Sequence, residues 1–248
     1  MDVELSICRH GCTIARDPIY RQPVDRVKKP LMSFGGAARR VAIREDEDLM
    51  EATRSDMAEL IADLFVSLDG YASGEGVGAF FGFGGPDLDL WVREVLDQPQ
   101  VVLMGRATYA AMAAISMTAT DAISMRMTEL PKAVVSNSLA EPLEWPNTRL
   151  VRGDLATAIN QLKLESPEPL RTIGSMALVS SMMKEGLVDL LRVTIFPLTL
   201  GADGREPGFA GFPRVGYELA GSKVLDSRLV MLEYRPSGGE STHRGDNS

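Results

Sequence analysis

Short apolar segments separated by helical stretches constrain this chain more than any other feature of its sequence. QVVLM (100–104), KAVVS (132–136), TRLV (148–151) and LRTIG (170–174) are too short for buried helices and rich in β-branched residues. QVVLM has no alternating polar face, the mark of a strand covered on both sides in a parallel sheet. Between the strands, PDLDLWVREVLDQP (86–99) places Leu88, Trp91, Val92 and Val95 at helical spacing, and Pro86, Asp87 and Asp89 suit a first turn. DLATAINQLKLE (154–165) is an amphipathic helix with Asp154 as cap, and SMALVSSMMKEG (175–186) is a helix closed by Gly186. AELIADLFVSLDG (58–70) reads as a strand stopping at an Asp-Gly turn. LVDLLRVTIFPLTLG (187–201) reads as a long strand leading out, and GYELAGSKVLDSRLVMLEYRP (216–236) as a closing hairpin turning at Asp226-Ser227. Alternating strands and helices require right-handed crossovers and a mostly parallel sheet. The expected fold is therefore α/β: a three-layer αβα sandwich whose mostly parallel central sheet ends in an antiparallel C-terminal hairpin.

The ends of the chain differ from this pattern. Residues 1–57 hold ten Lys/Arg and ten Asp/Glu with little periodicity, and are expected to form a flexible N-terminal extension. Met57 is a possible functional start. Residues 237–248 are expected to be a disordered tail, leaving 58–236 as the folded domain.

Composition narrows the chemistry. A net charge of −8 argues against nucleic-acid binding, which needs a basic face. No apolar run is long enough for a membrane helix, and the start Met-Asp-Val-Glu lacks the features of a signal peptide, so a cytoplasmic location is expected. Both histidines, His10 and His243, lie outside the expected domain, which removes a histidine triad, a HExxH zinc site and a histidine base from it. Cys8, His10 and Cys12 are too few and too close for a zinc site, so no metal is expected. Neither a P-loop nor a GxGxxG following a strand is present. GEGVGAFFGFGG (74–85) suits an aromatic loop over a cleft rather than a phosphate cradle.

Three strand ends can meet an anion. In VVLMGRATY (101–109), Gly105 allows close backbone approach, Arg106 offers a fixed cation with a fork of donors, and Thr108 adds a hydroxyl at a helix start. The same residues would also serve a plain helix start with a surface arginine. TIGSMALV (172–179) places Gly174 and Ser175 at a second strand–helix junction, where a tight turn is the simpler reading. VVSNSL (134–139) offers Ser136 and Asn137 at a third. Ligands of open parallel sheets bind beyond the carboxyl ends of the strands, so the set suits a phosphorylated cofactor.

The order of ADLFVSLDGYAS, VVLMGRATY, LPKAVVSNS and LRTIGSMALVSSMMKEGLVDLLRVTIFPLTLGADG resembles the dihydrofolate-reductase-like superfamily. Within it, the chain is most similar to the reductase domain of the bifunctional riboflavin-biosynthesis deaminase–reductase and its stand-alone relatives. The resemblance covers roughly residues 58 to 236. It implies NADPH as cofactor, with Arg106 at the 2′-phosphate and Ser136 nearby. Gly105, Thr108, Gly174, Ser175 and Met176 would support the cofactor phosphates, and a homodimer is implied. The chain departs from the relatives in three places: Ser175 where many carry glycine, Leu190 where an acid is usual, and Thr172 where riboflavin-pathway reductases tend to have glutamate.

The expected reaction is hydride transfer from NADPH to a C=N or C=O carbon of a small heterocyclic substrate, pteridine- or ribosylaminouracil-like. Without a core histidine, the proton donor comes from Asp69, Asp87, Asp89, Tyr71 or water. Asp69 is the choice because it ends the first strand, although an Asp-Gly turn alone would explain it. The alternative is a non-catalytic nucleotide-binding protein on the same fold.

Overall fold

The computed structural model describes residues 57–237. The expectations for residues 1–56 and 238–248, including Cys8, His10, Cys12 and His243, lie outside the described residues. Ten strands and five α-helices follow in order: β1 (Leu60–Ser67), β2 (Tyr71–Gly74), α1 (Pro86–Asp97), β3 (Val101–Gly105), α2 (Arg106–Ser116), α3 (Ala122–Glu129), β4 (Lys132–Val135), β5 (Thr148–Val151), α4 (Leu155–Glu165), β6 (Leu170–Thr172), α5 (Met176–Lys184), β7 (Leu190–Phe196), β8 (Gly204–Pro207), β9 (Gly216–Leu225) and β10 (Leu229–Ser237).

Eight strands form one sheet in the order β5-β4-β3-β6-β1-β7-β10-β9. The first six are parallel, and β10 and β9 add an antiparallel hairpin. Side-chain alternation sends neighbours to opposite faces. Leu103 and Ala133 join the cluster under α4 and α5, whereas Val102, Met104 and Val134 join a second cluster containing Tyr109 of α2 and Met127 of α3. Helices thus cover both faces, as the unbroken apolar strands require. No described helix is long and apolar enough to cross a membrane.

The chain runs outward from β3 to β4 and β5, then returns to insert β6 between β3 and β1. That reversal opens a crevice at the carboxyl ends of β3 and β6, the place where ligands of open α/β sheets bind.

Two local readings needed tertiary information. The expected strand over 187–201 ends at Phe196, because Pro197 has no N–H to continue the ladder. The chain then turns through Gly201–Asp203 into β8, which pairs with β2 as a separate two-stranded ribbon. Helix α3 lacks a clear apolar stripe, with Ile123 and Met125 exposed, and is fixed from outside the pattern. The Asp121 side chain accepts from the Ser124 N–H, and the buried Lys132 ammonium donates to the carbonyls of Met127, Thr128 and Leu130 at 2.7–2.9 Å. The closing hairpin turns through Asp226, Ser227 and Arg228, with Asp226 and Ser227 at positive φ and the Arg228 N–H donating to the Leu225 carbonyl at 3.0 Å.

Candidate functional site

A cavity of about 620 Å³ occupies the crevice, large enough for a small ligand beside part of a cofactor. Its upper wall is built from the β3–α2 and β6–α5 junctions. Gly105, Arg106, Thr108, Gly174, Ser175 and Met176 all line it. The two junctions are tied together: the Gly105 N–H donates to Ser175 Oγ at 2.9 Å, and Ser175 Oγ donates to Thr108 Oγ1 at 2.8 Å. Gly174 and Ser175 are both left-handed, at φ 56 and 63. Such a conformation costs a non-glycine residue about 1 kcal/mol or more. The hydroxyl of Ser175 is turned onto the neighbouring junction, where its bonds offset that cost.

Ser136 contributes differently from expectation. It does not line the cavity; its Oγ accepts from the Ser138 and Leu139 N–H groups at 3.2 Å and so shapes the turn after β4. Ser138 is the residue that accepts from Arg106 Nη1, at 3.3 Å. The turn brings a serine to the arginine, two positions beyond the expected one.

Helix N-termini distinguish this wall from the rest of the molecule. Asp121 caps α3, Asp154 caps α4, and the Asp226 carboxylate accepts from the Asp87 and Leu88 N–H groups at the start of α1. The two helices that begin at the cavity, α2 and α5, have no side-chain cap. Their first amides are therefore free for an anion, and the helix dipoles favour one there.

Asp69 is not placed to give a proton. It lies outside the cavity lining, and its carboxylate accepts from Ser67 Oγ at 2.6 Å and from the amides of Leu200 and Gly201 at 2.8–3.1 Å. The Ser67 hydroxyl, then the Gly201 and Leu200 amides, lower its pKa to about 2. Asp69 thus clasps the first strand to the loop after β7. Asp87 is also engaged, accepting from the Asp226 N–H at 2.8 Å. In GLVD, Asp189 Oδ2 accepts from the Leu60 N–H at 2.7 Å and pairs with Lys163 at 2.5 Å.

The lower part of the cavity holds two charged residues that the sequence patterns did not single out. Asp63 of β1 and Arg171 of β6 line it, with Phe65, Phe80 and Trp91 beside them. Asp63 Oδ1 lies 3.1 Å from Arg192 Nη1, and Oδ2 lies 3.4 Å from Arg171 Nε. Arg192 continues to Glu233 at 2.7 Å, so a charge ladder crosses β6, β1, β7 and β10. The Arg192 guanidinium also lies 5.7 Å from the Trp91 ring centre. Burial raises the Asp63 pKa above the ordinary carboxylate range, against the opposing pull of Arg171 and Arg192. The signal in the sequence was charge inside apolar strands: Asp63 in LIADLFVS, Arg171 in LRT and Arg192 in LLRVTIF. Thr172 is fully buried, and its Oγ1 accepts from the Asp63 N–H at 3.1 Å.

Residues 58–231 match the family described as the RibD C-terminal domain. The chain belongs to that family. Among solved structures, it is similar to a protein ascribed to riboflavin biosynthesis from Shewanella sp. PV-4, with 23% identity over 72% of this chain and 99% of that one and a TM-score of 0.60. Acinetobacter baumannii RibD shares 16% identity over 80% of this chain and 63% of its own, with a TM-score of 0.56. A Thermotoga maritima diaminohydroxyphosphoribosylaminopyrimidine deaminase/5-amino-6-(5-phosphoribosylamino)uracil reductase shares 14% identity over 77% of this chain, with a TM-score of 0.55; the chain spans 60% of it. No curated protein matches the chain. The expected resemblance is borne out at the level of family and fold.

Proposed function

We propose that this RibD C-terminal domain protein is an NADPH-dependent reductase of a small planar heterocycle, acting by hydride transfer to a C=N or C=O carbon. One observation carries the reading: among the described α-helices, the two that begin at the cavity are the two without a side-chain cap, and Arg106, the first residue of α2, donates to Ser138. This donor set fits the phosphates of a dinucleotide. The amides of α2 and α5 would hold the pyrophosphate and Arg106 the 2′-phosphate, with Gly105, Thr108, Gly174, Ser175 and Met176 shaping the wall. NADPH, when bound, supplies the hydride.

The residues of the chain position the substrate and manage its proton. Phe65, Phe80 and Trp91 offer faces for a flat ring. Asp63 replaces Asp69 as the proton donor. It lies in the cavity, and burial favours its neutral form. A carboxyl held at the cavity wall can pass its proton to a substrate nitrogen or oxygen as the hydride arrives.

The test is a titration with NADPH followed by nicotinamide fluorescence, then a screen of pterins, ribosylaminouracils and simple carbonyls for cofactor oxidation. Saturable binding with turnover of one class is expected. Binding without turnover of any would favour a non-catalytic nucleotide-binding protein. Arg106→Ala should weaken NADPH about tenfold or more while NADH changes little, since only NADPH carries the group that a charge-assisted bond would hold. Equal losses for both would remove Arg106 from that role.

A further inference from the structure

Two buried polar atoms in the lower cavity have no partner. Arg171 Nη1 makes no hydrogen bond although the residue is 91% buried, and Gln100 Oε1 makes none although Gln100 is 96% buried. Both residues line the cavity. Leaving such groups unmade costs about 1–3 kcal/mol each, more for a charged one, so a partner is expected to reach them.

The two are neighbours by register. Arg171 of β6 pairs with Val102 of β3, and Gln100 stands just before β3, two residues from Val102. Each is also held in place from elsewhere. The Gln100 amide donates to the carbonyls of Val95 and Gln98, which fixes its oxygen as the free acceptor. Arg171 Nε faces Asp63 Oδ2, which leaves the far arm of the fork free. One unpartnered donor and one unpartnered acceptor therefore belong to residues that line the same cavity from neighbouring strands.

The free pair selects against a carboxylate by its own chemistry. An ionised carboxylate could accept from Arg171 but would bring no donor to Gln100 Oε1 and would set a lone pair against it.

We propose that Arg171 and Gln100 form a specificity subsite for a neutral amide-type edge, in which Arg171 donates to a ring carbonyl and Gln100 accepts from the adjacent N–H. The subsite rests on the reading that the cavity holds the substrate. It adds to that reading which edge of the molecule enters first and which residues select it.

The probe is 4-quinazolinone, a flat neutral bicycle with one carbonyl beside one N–H. It is titrated against the full chain with and without NADPH, alongside its N3-methyl derivative, quinazoline and quinoline-4-carboxylate. The wild-type protein should bind the lactam at least about tenfold more tightly than the N-methyl derivative or quinazoline, the size expected for a hydrogen bond to a buried charged or oriented group. Arg171→Met and Gln100→Leu should each bring that ratio close to one while NADPH binding persists. Equal affinity for the lactam and its N-methyl derivative overturns the subsite, as does tighter binding of the carboxylate or undiminished selectivity in Arg171→Met. The wild-type ratio needs no variant, so a failure of either variant to fold leaves the test intact. Absence of NADPH binding with selectivity present would instead count against the reductase reading alone.

Discussion

Ser175 Oγ donates to Thr108 Oγ1 at 2.8 Å while accepting the Gly105 N–H, so one hydroxyl joins the two junctions that open the cavity. This bond gives a reason for a serine at a left-handed position, a conformation that favours glycine. The strained backbone is held by contacts that a glycine could not make.

Ser175→Ala keeps the positive φ and deletes the bonds. It should lower stability by about 1–3 kcal/mol, because the Gly105 amide loses its partner. Ser175→Gly loses the same bonds but relieves about 1 kcal/mol of backbone strain, and should lie between the two. Denaturant unfolding of the three proteins gives the order; a glycine variant less stable than the alanine one would contradict the strain argument.

Asp226 and Asp87 cap each other reciprocally, hairpin turn against helix start, at 2.8–3.1 Å. Asp226→Ala should cost about 1–2 kcal/mol, the usual worth of a lost N-cap. Amide exchange should quicken first at Asp87 and Leu88. Uniform loosening of the domain, with no focus at α1, would show that the cap is not what the carboxylate does.

For Asp69, the carboxylate is the working form. Its pKa in the folded protein, about 2, lies below the usual aspartate range. A depressed acid contributes stability above its unfolded pKa and loses it as pH falls through the folded one. Asp69→Asn should therefore reduce the acid sensitivity of unfolding between about pH 4 and pH 2. Its turnover at neutral pH should remain close to wild type once folded protein is compared. A collapse of turnover with the fold intact would restore Asp69 to the chemistry.

Asp63 has the opposite sense. Burial raises its pKa, and a donor works only while protonated, so turnover should fall as pH rises through that raised value. Asp63→Asn should lose about 10²–10⁴-fold in kcat, flatten that limb of the pH profile and leave NADPH affinity unchanged. A flat wild-type profile over the same range would remove Asp63 as donor.

The sequence by itself determined the layers of the fold. Hydrophobic period, turn residues and helix caps are properties of contiguous residues, so β3, α4, α5 and the closing hairpin could be placed from QVVLM, Asp154, Gly186 and Asp226-Ser227. The glycine, arginine and serine at the strand ends were legible for the same reason: each junction is local, and the reversal of strand order brings β3 and β6 side by side. What only the tertiary structure decided was the use of each charge. Asp69 looked like a donor at a strand end, yet amides from Leu200 and Gly201, distant in sequence, hold it ionised. Asp63 passed unremarked inside an apolar strand, yet Arg171 and Arg192 meet it from the strands on either side. The same carboxyl group becomes a clasp or an acid according to the donors and burial around it. Those come from segments that the chain order keeps far apart.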